Sequence, residues 1–115
     1  MSWESNPYYH PEKLGLAKVV DLDFSDGCYQ FDLTAVWTKE GEKQFFWADD
    51  SGCSCPSPFE NFNTVEQFEK GGFKQVRDHL TARFDGEYSY GSYVKITELH
   101  PVIEKLHEIS KGWED

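Results

Sequence analysis

Positive charge is what this chain has least of. Eleven Lys and Arg stand against twenty-one Asp and Glu in 115 residues, a formal net charge of −10. Affinity for nucleic acid rests on Lys and Arg neutralising phosphates, so direct nucleic-acid binding is not expected, and anionic membrane surfaces are disfavoured for the same reason. Cysteine is scarce too. Cys28, Cys53 and Cys55 make an odd number of thiols, which fits a reducing compartment better than a disulfide framework. Long apolar runs are missing: stretches such as Phe45-Phe46-Trp47-Ala48 fall far short of the roughly 20 residues that cross a bilayer. The opening MSWESNPYYHPEK has no basic stretch followed by an apolar one, so no secretory leader is expected. The expected compartment is the cytoplasm of the cell that makes the protein.

Aromatic rings are abundant, with nine Phe, six Tyr and four Trp. A chain of this length builds one domain, and here it builds the core from rings. Residues 1–13, carrying Pro7 and Pro11, read as a surface arm. Val20-Asp21-Leu22-Asp23-Phe24 alternates as a half-buried strand should, and Asp26-Gly27 signals a tight hairpin. A second strand over Tyr29–Thr38, a turn at Lys39-Glu40-Gly41-Glu42 and a third strand over Lys43–Ala48 complete a meander spanning about 15–48. Residues 49–63 read as a rigid loop and 64–110 as a helical part. There, Thr64 and Gln67 suggest a capping box opening a short helix that Gly71-Gly72 ends. Phe73, Val76, Leu80 and Phe84 recur at helical spacing, predicting a helix to about Arg83. Leu99, Val102, Ile103, Leu106 and Ile109 predict another over Glu98–Ser110, with Pro101 in its first turn. The expected fold class is α+β, a three-stranded antiparallel meander followed by two or three helices packed on one face.

The turns also set registers. An Asp26-Gly27 turn places Phe24 opposite Tyr29, Leu22 opposite Phe31 and Val20 opposite Leu33; a Glu40-Gly41 turn places Trp37 opposite Gln44 and Ala35 opposite Phe46. The core expected from these pairs joins Leu22, Phe31, Leu33, Trp37 and Phe46 to Val76, Leu80, Leu99, Ile103 and Leu106. The other face is then acidic at one end, with Asp21, Asp23 and Asp32, and apolar at the other, with Val36, Phe45 and Trp47. A solvated sheet face should not carry that apolar trio. Either the arm (Trp3, Tyr8, Tyr9), the loop or a partner covers it, or it forms a two-fold interface between two copies.

The stretch ADDSGCSCPSPFENF, Ala48 to Phe62, invites a chemical reading. Cys53-Ser54-Cys55 is one residue too tight for the usual zinc knuckle. His10, His79, His100 and His107 stand in no paired spacing with it, so no metal and no cofactor is expected. A redox pair would normally be separated by two residues at a helix N-terminus, whereas Pro56 and Pro58 follow here. Ser51-Gly52 is not a nucleophile elbow, and Asp49-Asp50 alone does not specify acid–base work. Tyr88, Tyr90 and Tyr93 lie beside Asp85 and Glu87, which suits packing better than base stacking. A rigid corner accounts for the loop: Asp49, Asp50 and Ser51 as turn formers, Gly52 for a special backbone angle, Cys53 and Cys55 as small packing residues.

GCYQFDLTAVW followed by FFWADDSGCSCPSPFENF resembles a family of small proteins from bacteriophages of actinobacteria and related bacterial genomes. The resemblance covers roughly Gly15 to Phe62. No activity is assigned to that family, so it transfers no functional residue. It implies a phage or prophage accessory protein in a bacterial cytoplasm and makes Asp50 to Glu60 the best candidate site. Two function classes follow. The first, non-enzymatic, is a protein-binding module that docks on a host or phage protein, including a basic or DNA-binding one, through Asp21, Asp23, Asp32, Val36, Phe45 and Trp47. The second is a small enzyme or metal/thiol protein using Asp49, Asp50, Ser51, Cys53 and Cys55.

Overall fold

Three segments rich in β-branched and aromatic residues form the long strands β1 (Leu16–Asp23), β2 (Gln30–Lys39) and β3 (Phe45–Cys53). A computed structural model of the chain describes residues 10–24, 30–53, 64–84 and 96–113. A three-residue strand β4 (Glu69–Gly71) completes an antiparallel sheet of order β1-β2-β3-β4. Two helices follow, α1 (Phe73–Phe84) and α2 (Ile96–Lys111). The architecture is mixed α+β, with four strands where three are expected and two α-helices. The segment expected as a first helix is instead a short 3₁₀ turn, Val65–Gln67, running into β4. Its capping chemistry is present: the Thr64 amide donates to Gln67 Oε1 at 2.9 Å.

The registers differ from those expected. Leu22 pairs with Thr34 and Asp23 with Leu33, so the first connection is wider than an Asp26-Gly27 turn allows. An odd shift of this kind exchanges the faces of one strand relative to its neighbour. In the second hairpin, Trp37 pairs with Phe46 and Val36 with Trp47, a shift of two that keeps the expected facing. The connection is longer because Glu42 N–H donates to Lys39 O at 3.0 Å, with Gly41 at φ +86° in the left-handed region.

Consecutive residues Ala35-Val36-Trp37 and Phe45-Phe46-Trp47-Ala48 are all buried, so the sheet is covered on both faces. On one face Val36, Phe45 and Trp47 join Leu22, Phe24, Val76, Leu80, Leu99 and Leu106 beneath the helices. On the other, Leu33, Ala35, Trp37, Phe46 and Ala48 pack with Leu16 and Phe68, and Phe68 meets Trp37 edge-on at 4.9 Å between ring centroids. The expected single core is therefore corrected: Leu33, Trp37 and Phe46 lie on the face away from the helices, and Leu22 alone of the expected strand residues with described side chains is on the helical side. The Phe31 side chain lies outside the described residues.

Two further differences concern boundaries. β3 continues to Cys53, so Asp49, Asp50, Ser51 and Gly52 are strand residues rather than turn formers. Pro101 is the sixth residue of α2, past the first turn. Its missing amide leaves the Thr97 carbonyl without an intrahelical donor, and both residues are exposed to water. At the outer edge, β1 breaks register between Lys18 and Val20, and Lys105 Nζ donates to the Val19 carbonyl at 2.9 Å.

Candidate functional site

The helix-covered face of the sheet changes character along β2 and β3. Moving outward from Val36 and Trp47, the next cross-strand row is Thr34 with Asp49 and the one after is Asp32 with Ser51. α1 crosses this polar end. Val76 and Leu80 face the core, and His79 and Arg83 continue the same stripe at helical spacing. The result is a network of four charged or titratable groups joined across three elements.

Arg83 is its most buried member, only 9% exposed. Its Nη2 donates to Asp32 Oδ1 at 2.6 Å and to the Asp32 carbonyl at 3.3 Å, while the guanidinium lies 4.6 Å over the Phe24 ring. Arg83 Nε stands 3.9 Å from Asp49 Oδ1, within ion-pair range but too far to hydrogen-bond, and is buried without a hydrogen-bond partner among the described residues. His79 Nε2 lies 2.9 and 3.0 Å from the two Asp49 oxygens, one N–H shared between them. Thr34 Oγ1 donates a short hydrogen bond to the same carboxylate. Behind it, the Trp47 ring sits 6.2 Å from the His79 ring.

Burial pushes the Asp49 carboxyl up, but hydrogen bonds from His79 and Thr34, with the charges of His79 and Arg83, outweigh it and hold the carboxyl below its usual value. The network therefore sets two carboxylates around the Arg83 guanidinium, with the imidazole donating a hydrogen bond to one of them. Chemically it can tie α1 to the sheet, and it sets a carboxylate beside an imidazole, the arrangement that orients a base.

The expected site residues divide between the two faces. Asp49 is in the network, and Ser51 lies on the same sheet face one row out. Asp50 faces the other way, beside Leu33 and in line with Asp23. Cys53 ends β3, paired with Gln30. Cys55, Cys28, the Asp26-Gly27 turn, Pro56 and Pro58, the tyrosine cluster and arm residues 1–9 lie outside the described residues. The expected acidic edge is corrected, because Asp32 turns to the helical side and binds Arg83 while Asp21 and Asp23 stay on the opposite face. Asp21 pairs with Lys18 at 2.7 Å, and Asp23 Oδ1 accepts from the Asp32 amide at 3.1 Å. Val36, Phe45 and Trp47 are interior residues beneath α1 and α2, so they offer no contact surface. Among the described residues no three His, Cys, Asp or Glu side chains gather as metal ligands.

Sequence reasoning missed Thr34, His79 and Arg83. A signal was present for the last two: they interrupt an apolar helical stripe with polar groups, and a polar residue aimed at a core needs a partner.

A family model for a domain of unknown function, DUF7574, matches residues 5–111. The chain belongs to the DUF7574 family. No curated protein and no solved structure matches it. The DUF7574 match spans strands, network and helices alike, so the family unit is the whole described fold. No helix of this DUF7574 chain among the described residues is long and apolar enough to cross a membrane.

Proposed function

We propose that the chain is a non-enzymatic, acidic protein-binding module that docks on a basic surface of another protein, in the setting of a phage or prophage in a bacterial cytoplasm. The observation that carries this reading is where its cations go. Lys18, Lys39, Lys74, Arg77, Arg83 and Lys111, six of the eleven basic side chains, are engaged in ion pairs within the chain. Of the eleven basic side chains five stand outside these pairs, against twenty-one acidic ones, and the excess of −10 makes a field that steers basic partners and repels nucleic acid. Asp23 and Asp50, aligned at one end of the face away from the helices with the Lys18-paired Asp21 beside them, are the centre of the proposed contact.

The test uses a defined probe. Binding of a lysine/arginine-rich peptide and of its neutral glutamine counterpart is measured at 50 and 500 mM NaCl, for the wild type and for Asp23→Asn/Asp50→Asn. Binding of the basic peptide that weakens at least tenfold at high salt, and again in the double variant, supports the reading. Equal binding of both peptides, or indifference to salt, rejects it.

One observation favours a second reading. The Asp49–His79 contact at 2.9 Å, with Ser51 on the same sheet face, has two parts of an activated-nucleophile arrangement. Labelling of Ser51 or Cys53 by an electrophilic probe that depends on His79 would support an enzyme instead.

A further inference from the structure

At the end of the helical layer away from the Arg83 network, the start of α1, the last turns of α2 and the β2–β3 connection leave an open groove of about 390 Å³. Lys43, Gly72, Phe73, His107, Ser110 and Trp113 line it. The volume sits at the lower end of the roughly 300–1,000 Å³ typical of small-molecule sites. It takes no part in the docking reading, which concerns the other face of the sheet.

The walls carry two kinds of chemistry. Rings form one side: Phe73 lies 5.0 Å from the His107 ring, and Trp113 is anchored at 4.6 Å on Phe45, so its indole is held by the core while its other surface faces the groove. Hydrogen-bond donors and a cation are the second kind. Lys43 makes no ion pair among the described residues, in a chain where most cations are paired. The His107 ring nitrogens likewise make no hydrogen bond among the described residues, while the His107 carbonyl accepts from Ser110 Oγ at 2.8 Å. In the lining α1 begins after Gly72, which has no side chain to cap the helix, and Gln75 Oε1 accepts the Gly72 amide at 3.1 Å.

We infer that this groove is a binding site for a small planar aromatic carboxylate. The ring system lies against Trp113 and Phe73, and the carboxylate meets Lys43 Nζ and the His107 ring. A neutral aromatic keeps the stacking and loses the charge contact; an aliphatic carboxylate keeps the charge and loses the stacking. Selectivity for both features together separates this site from general attraction of anions, which a net charge of −10 opposes.

The experiment is a titration of the ¹⁵N-labelled full chain with 2-naphthoate, 2-naphthamide and cyclohexanecarboxylate. Saturable shifts of the Trp113 indole N–H and the Phe73 and Lys74 amides are expected, with a Kd on the order of 1 mM for naphthoate. Naphthamide and cyclohexanecarboxylate should bind about fivefold more weakly. Lys43→Gln, on an exposed turn, should bring naphthoate to the naphthamide level and leave naphthamide unchanged; Trp113→Leu should remove both. Non-saturating shifts, shifts that bypass Trp113 and Phe73, or a Lys43→Gln variant that binds naphthoate like the wild type would overturn the assignment.

Discussion

Replacing Arg83 by alanine should be among the most damaging polar-to-small changes in this fold. The side chain is 8% exposed and its partner Asp32 25%, so water screens little of their contact. Two effects add. A charge-assisted hydrogen bond of 2.6 Å disappears, contributing about 1.5–3 kcal/mol, and the stack over Phe24 contributes about another 0.5–1 kcal/mol. The change also leaves Asp32 and Asp49 as neighbouring carboxylates without their shared cation, which enlarges the penalty. A loss of about 3 kcal/mol is a large part of the roughly 5–15 kcal/mol that stabilises a domain. Urea unfolding at pH 7 reads it directly, as a midpoint lowered by about 2 M at an m-value of about 1.5 kcal/mol/M. A cycle with Asp32→Asn should return a coupling of about 1–2 kcal/mol, and Asp32→Leu/Arg83→Met should recover much of the stability because no charge is stranded. If Arg83→Ala costs less than about 1 kcal/mol, or the two single changes simply add, Asp32 does not face the helices and the β1–β2 register is wrong.

Asp49 makes stability depend on acid. Its folded carboxyl is held below the ordinary value, so its contribution is complete above the unfolded pKa of about 4 and is lost as pH falls through the depressed folded value. The difference in urea midpoint between wild type and Asp49→Asn that is present at pH 5 should shrink as pH falls below about 4; a difference still undiminished at pH 3 contradicts this. Phe46→Ala should cost about 3–5 kcal/mol although its ring faces away from both helices, and a near-neutral result would remove the second core. Gly41→Ala should destabilise by about 1 kcal/mol through φ +86° alone, since a methyl there meets no atom within 4 Å. Pro101→Ala should raise the thermal midpoint, by the equivalent of about 1 kcal/mol, by restoring the donor to Thr97.

Much of the fold was legible because its signals are local. The 3.6-residue stripes of Val76, Leu80 and of Leu99, Leu106 locate both helices to within two residues at each end, and the pairing of Thr64 with Gln67 identifies a real cap. The length of the element behind that cap is not local: Phe68 is drawn onto Trp37, and the residues after it add to the edge of β3, so the chain leaves helix after one turn. The two-sided sheet was written in FFWA and AVW, unbroken apolar runs that mean cover on both faces, but assigning each face needed the β1–β2 register. That register follows from a connection longer than the Asp-Gly signal implies. Of the candidate site, Asp32 was readable as an acidic strand residue, whereas Asp49 reads from sequence as a turn former and is placed in a strand only by the extension of β3 to Cys53. Their partners were not, because His79 and Arg83 are distant in sequence and reach them only through the packing of α1.

The edge of β1 governs how copies of this chain treat one another. An outer strand of eight residues offers a row of amides and carbonyls on which an identical strand could align and begin a fibre. Here the row is interrupted at its middle by the register break, and the Val19 carbonyl there is occupied by Lys105 from α2. A visiting strand would have to dislodge an ammonium group to gain one hydrogen bond, and would then meet a kinked backbone rather than a flat one. Loss of that lysine would therefore show itself in shelf life at high concentration, as slow strand-on-strand assembly, before it registered in the melting curve of dilute protein.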